Sequence, residues 1–106
     1  MKPVSFEGDS LAALQAFPDA PRREAGFQLD RAQRGLMPDD CKPLAMVGRS
    51  VYEIRIQDRG GAFRVIYIAK LADAVHVLHA FQKKTQQTSK ADIDLARKRL
   101  NDLLRR

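Results

Sequence analysis

Cysteine is nearly absent from this sequence: Cys41 stands alone, so no intrachain disulfide can form. Histidine is almost as scarce, with His76 and His79 only, and one thiol with two imidazoles is too few for a structural zinc cluster; no metal and no cofactor is expected. Long apolar runs are missing too. The longest mostly apolar stretch, residues 62–81, is broken by Arg64, Lys70 and Asp73, which argues against a membrane-spanning helix. The opening MKPVSFEGDS has no apolar core of the secretory kind, so a cytoplasmic protein is expected. No internal repeat or low-complexity tract interrupts the chain, and its 106 residues suffice for one domain, residues 1–106, with its own core.

Positive charge, by contrast, is plentiful. Nineteen Lys/Arg against thirteen Asp/Glu leave a formal net charge of +6. The excess is concentrated: residues 81–106 hold eight basic and three acidic side chains. Such a segment attracts a phosphate backbone by counterion release, or it is a solvated helix face that serves solubility.

The hydrophobic pattern orders the elements. Val4 and Phe6 alternate with polar neighbours in a first strand over residues 2–7. Asp9 or Ser10 is placed to cap a helix over Leu11–Phe17, and a second helix runs from Asp19 and Pro21 to a Gly35 cap. These two form a helical hairpin. Residues 36–50, with Pro38, Pro43 and Gly48, read as a loop with a possible short strand at Leu44–Val47.

Then comes a meander. Over Val51–Gln57, Tyr52, Ile54 and Ile56 share one face while Val51, Glu53, Arg55 and Gln57 share the other. Arg59-Gly60-Gly61 suits a hairpin turn, Ala62–Lys70 returns, Leu71-Ala72-Asp73 turns again, and Ala74–Phe81 is the third strand. Ser89 with Asp92 caps a last helix over Lys90–Leu104, whose Ile93, Ala96, Leu100 and Leu103 fall on one side. The class is α+β: an N-terminal strand and helical hairpin packed on an antiparallel β-meander, then a C-terminal helix, with the helices on one face of the sheet.

Tyr52-Glu53-Ile54-Arg55 on the first meander strand, Phe63-Arg64-Val65-Ile66-Tyr67 on the second and Leu78-His79-Ala80-Phe81-Gln82-Lys83-Lys84-Thr85 leaving the third together resemble the HigB-like, phage-derived branch of the RelE/ParE toxin superfamily. The resemblance implies the RelE-like fold and the toxin of a type II toxin–antitoxin system. In many members the activity is ribosome-dependent endonucleolytic cleavage of mRNA, an mRNA interferase that inhibits translation. It also implies a cognate helix-turn-helix antitoxin encoded in the same operon as partner, with ribosome and mRNA as targets and no membrane. ParE-like relatives of the same architecture inhibit DNA gyrase instead, so a non-catalytic binding toxin or an inactive relative is the alternative.

Metal-free RNA cleavage requires cations on the phosphate and proton-transfer groups on either side of it. Arg64 interrupts an apolar strand and matches the family's phosphate-binding strand arginine; a salt bridge to Glu53 explains it equally well. Arg55, central on the neighbouring strand, is a second candidate or a cross-strand ion pair. Lys83 and Lys84 leave the sheet edge where ammonium groups can grip a phosphate or donate a proton. Glu53 is a general base or, more simply, a counter-ion. His79 is an acid or base near neutral pH, or a hydrogen-bonded structural residue on the strand face opposite His76. Lys90, Arg97, Lys98 and Arg99 on the last helix are the expected ribosome-contacting groups. One departure from the family stands out: tyrosine occurs only at Tyr52 and Tyr67, with none near the last helix, where some RelE relatives carry a catalytic one.

Overall fold

Runs rich in β-branched and aromatic residues, with a two-residue turn at Arg59-Gly60, form three long antiparallel strands: β3 (Val51–Asp58), β4 (Gly61–Ile68) and β5 (Val75–Lys83). The computed structural model describes all 106 residues. Gly61 closes the hairpin with φ +135, and a side chain there would strike Gln82. Ahead of the meander come β1 (Val4–Phe6), α1 (Ser10–Gln15), α2 (Asp19–Gln33) and β2 (Cys41–Pro43); α3 (Lys90–Leu104) follows it. The sheet order is β1-β5-β4-β3-β2, and β1 runs parallel to β5, so the sheet is mixed. This is the expected α+β class.

The layering departs from expectation. The helices lie on both faces of the sheet, not one. Leu14, Phe17, Ala25, Leu29 and Ala32 of the α1–α2 hairpin pack with Ile54, Ile56, Phe63, Val65, Tyr67, Val75 and Val77. The apolar side of α3, Ile93, Ala96, Leu100 and Leu103, packs on Val51, Ile66, Ile68 and Leu78 from the other side. A meander whose strands are apolar on both faces needs two covers, and three helices supply them. No helix is long and apolar enough to cross a membrane.

Three local expectations are also corrected. Leu44–Val47 is a turn rather than a strand; the strand is Cys41–Pro43, antiparallel to β3. The ladder ends where the Leu44 amide donates to the Val51 carbonyl, and the Val47 amide then turns back onto Leu44. Leu44 and Val47 thereby enter the α3 core, with Gly48 so close to Leu100 that no Cβ fits. Neither Asp9 nor Ser10 caps α1 through its side chain: Asp9 pairs with Arg99 at 2.6 Å, and the Ser10 hydroxyl donates to the Val77 carbonyl at 3.1 Å. Ser89 does cap α3, accepting from the Asp92 amide at 3.2 Å.

Third, β5 carries a bulge. Ile66 is opposite His79 but Tyr67 is opposite Val77, leaving Leu78 as the extra residue. The strict alternation that would put His76 and His79 on opposite faces fails there. Both turn to the α3 side, where His79 meets Asp92 and His76 meets Glu7.

Candidate active site

Residues directly opposite each other in a β-ladder share a face. Glu53 is opposite Lys42 and Ile66, Arg55 opposite Arg64, Arg64 opposite Phe81, and Ala62 opposite Lys83. One sheet face therefore carries Lys42, Glu53, Arg55, Arg64, Phe81 and Lys83, on the side where α3 packs. The helix covers only the apolar half of it; past its N-terminus the face is charged and open.

Arg64 and Glu53 form the centre. Glu53 is 1% and Arg64 8% exposed, and the Arg64 Nε lies 3.8 Å from Glu53 Oε1, close enough to attract but too far for a hydrogen bond. The guanidinium donates from Nη1 to the Phe63 carbonyl at 3.0 Å, while its buried Nε has no hydrogen-bond partner. The other carboxylate oxygen of Glu53 accepts from the Thr88 hydroxyl at 2.5 Å, tying the loop before α3 to the sheet. Glu53 is thus a buried counter-charge beside Arg64. The unpaired Nε is sealed from solvent and lies nearest Glu53; Arg64 reaches the surface only where it lines a hollow with Arg55 and Gln57.

Around this pair stand three more cations. Lys83 ends β5, half-buried; burial first, then the Arg64 guanidinium, with Lys42 and Arg55 adding, weaken its hold on its proton, and Glu53 opposes them. Lys42 comes from edge strand β2 and is exposed. Arg55 is exposed and bound by Asp40, with its Nε and Nη2 both 3.1 Å from Oδ1. A shallow hollow of about 220 Å³ opens between Asp40, Arg55, Gln57 and Arg64. Lys84 lies just past β5, exposed, outside this group.

His79 is set apart. Its Nε2 is 2.7 Å from Asp92 Oδ1, its ring stacks on Phe81 at 4.7 Å, and its buried Nδ1 has no partner. Asp92 in turn accepts from the Ser89 hydroxyl at 2.7 Å. The imidazole thus joins β5 to the first turn of α3, behind Phe81.

The basic groups of α3 divide. Lys90 (to Asp94, 2.8 Å) and Lys98 (to Asp102, 3.1 Å) make exposed pairs along the helix. Arg97 donates to the Met46 carbonyl and approaches Asp94 at 3.6 Å. Arg99 does not match the free surface group expected. It is 13% exposed, pairs with Asp9, and donates to the Leu78 carbonyl at 2.9 Å, so it braces the bulge of β5 and the start of α1.

Sequence reading missed Lys42, Asp40, Thr88 and Asp92. The Ser89–Asp92 cap was visible, but the reach of Asp92 to His79 depends on how α3 crosses β5. Lys42 was hidden in a presumed loop, and only the β2–β3 register sets it opposite Glu53. No group of three His, Cys, Asp or Glu side chains is placed to hold a metal ion together.

Residues 12–101 match the family model described as phage-derived protein Gp49-like (DUF891). No curated protein matches the chain.

Proposed function

Since this chain belongs to the Gp49-like family of phage-derived proteins, its model spanning residues 12–101, we propose that it is the toxin of a type II toxin–antitoxin pair, of HigB-like kind. On this reading it is a cytoplasmic, metal-independent endoribonuclease that cuts mRNA on the ribosome. The observation that carries the reading is Arg64 lining a surface hollow with Arg55 and Gln57, on the sheet face that Lys42 and Lys83 share. A scissile phosphate is drawn to that face and meets the guanidinium at the hollow.

The chemistry follows from what each group can do. The ribose 2′-oxygen attacks phosphorus as its proton leaves, the bond to the 5′-oxygen breaks, and that oxygen takes up a proton; the products are a 2′,3′-cyclic phosphate and a 5′-hydroxyl. Arg64 donates to the non-bridging oxygens as negative charge builds on the phosphorane. Lys83, on the same face at the end of β5, serves the leaving or attacking oxygen. Glu53 and Thr88 orient Arg64, and the exposed Lys42, Lys84 and Arg55 contact flanking phosphates. Lys90, Arg97 and Lys98 contribute to ribosome docking, which weakens steeply with salt. The partner is a helix-turn-helix antitoxin from the same operon, whose co-expression relieves growth arrest.

A second reading is favoured by one observation. Both tyrosines belong to the sheet's other face, with the α1–α2 core, so none can join the cationic group, and a binding toxin of the gyrase-inhibiting kind needs none. Primer extension on a translated message after brief induction decides. Codon-linked breaks that vanish in Arg64→Met support the nuclease; intact message with DNA breaks overturns it.

A further inference from the structure

The outward side of α2 carries features that its own fold does not use. Pro21, Ala25, Leu29 and Ala32 turn one side of the helix into the core. The pitch of 3.6 residues per turn sets Asp19, Arg23, Gly26, Phe27, Asp30 and the C-cap residue Arg34 in a stripe along the opposite side. Phe27 is 54% exposed there, and a ring left in water in mid-helix forgoes its burial energy. Gly26, next to it, has no positive φ, and a Cβ on it would meet nothing within 4 Å. Neither backbone conformation nor internal packing therefore calls for glycine, although glycine destabilises a helix interior relative to alanine. The pair is a knob beside a bare patch of backbone.

The charges of the stripe alternate. Read along the chain, Asp19 and Arg23 precede the Gly26–Phe27 centre and Asp30 and Arg34 follow it, acidic then basic on each side. A copy running the other way presents basic then acidic. An antiparallel second copy, with its two-fold axis between Gly26 and Phe27, thus sets every charge opposite its complement, whereas a parallel copy sets like beside like. Arg23 is exposed and has no carboxylate partner in its own chain, while Asp30 holds Arg34 at 2.9 Å and Asp19 holds Arg22 at 2.7 Å. Arg31, at the margin, is engaged by Asp39 at 3.4 Å.

We infer that α2 is a self-association surface on which two copies of this chain pack antiparallel. Each Phe27 ring lies over Gly26 of the other copy, and across the interface Arg23 pairs with Asp30 and Asp19 with Arg34. One helix pair buries less than the about 1,200 Å² at which stable interfaces begin, so the dimer is a reversible one with a dissociation constant on the order of 10⁻⁵ M. The stripe points away from the sheet, so the cationic face under α3 stays open in both copies. The inference stands without the nuclease reading.

Sedimentation equilibrium over a concentration series spanning that constant tests it. The parent's average mass should rise from 12.0 kDa toward twice that value, and the rise should shrink with added salt. Arg23→Asp and Asp30→Arg each set like charges across the two-fold axis and should stay monomeric. Mixed in equal amounts, the two variants should associate, because each supplies the charge that the other lacks; a misfolded variant could not show this gain. Phe27→Ser should weaken association about tenfold or more, with an unchanged circular dichroism melt. A parent that stays at 12.0 kDa throughout, single variants that associate as the parent does, or an equimolar mixture that stays monomeric overturns the inference.

Discussion

The face of the sheet under α3 has two halves with opposite chemistry. One half, Val51, Ile66, Ile68 and Leu78, is sealed by Ile93, Ala96, Leu100 and Leu103. The other half, Glu53, Arg55, Arg64 and Lys83, continues the same strands but lies beyond the helix. Identical backbone geometry supports both. A buried half is stabilised by apolar area removed from water; a half built on the nearly buried Arg64–Glu53 pair forgoes that gain.

The largest contrast is expected at Arg64. Arg64→Met removes a charge-assisted contact to the transition state and lowers message cleavage about 10²–10³-fold. It also strands the carboxylate of Glu53, at a cost of up to about 3–5 kcal/mol where a buried pair is broken, with Thr88 limiting the loss. Glu53→Gln added to it restores the thermal unfolding midpoint.

In the sealed half the loss is of stability alone. Leu100→Ala opens a cavity in the α3 core and costs about 2–5 kcal/mol by denaturant unfolding. Lys83→Met, in the open half, costs less than about 0.5 kcal/mol. Equal losses at the two positions would remove the distinction between the halves.

A pH titration separates the far end of α3 from both. His76 is bonded on both ring nitrogens by carboxylates, Glu7 at 2.9 Å and Asp73 at 3.0 Å, and Glu7 also accepts from Arg106 at 2.6 Å and Ser5 at 3.0 Å. Burial opposes the charged imidazole, but the hydrogen bonds to Glu7 and Asp73 outweigh it and raise its pKa. Burial also opposes ionisation of Glu7, whose bonds to His76 and Arg106 prevail and lower its pKa. The His76 contribution to stability is therefore complete below the unfolded value of about 6.5 and fades as pH rises through the raised folded value. The Glu7 contribution is present above the ordinary carboxylate range and fades as pH falls. Thermal unfolding of His76→Gln against the parent should show a difference that shrinks on the alkaline side; a difference that grows there contradicts the doubly bonded imidazolium.

Smaller still is the effect on Lys83. Burial and Arg64 leave more of its amine neutral than an ordinary lysine has, so acetic anhydride at neutral pH should label it faster than an ordinary lysine. The preference should fall in the Arg64→Met/Glu53→Gln variant relative to Glu53→Gln alone. Mass spectrometry of the labelled peptides reads both.

Much of this was legible in the sequence. The limits of α3, Lys90–Leu104, follow from the Ser89 cap and the spacing of its four core residues, and the meander from the alternation of Val51–Gln57 and the apolar run Ala62–Lys70 on either side of a glycine turn. Arg64 is conspicuous as a charge in an apolar strand. What escaped depends on pairing rather than pattern. Cys41–Pro43 is a strand because β3 offers it an edge, and nothing in CKP announces that. The Leu78 bulge breaks period two without any local signal, which moved His76 to the face of His79. The weak apolar stripe of α2 could not say which side of the sheet it covers. Arg99 looked like its neighbours Arg97 and Lys98 until the fold set it against Asp9 and the Leu78 carbonyl.

The central claim, that Arg64 on the open half meets a phosphate, is tested most directly in the double variant Arg64→Met/Glu53→Gln. Stability and ribosome co-sedimentation are measured first, then cleavage of a translated message, each beside Glu53→Gln alone. The account predicts a protein that folds like the parent and binds ribosomes, yet cuts about 10²-fold or more slower than Glu53→Gln. Cleavage that returns together with stability would contradict it, because Arg64 would then serve only to neutralise Glu53.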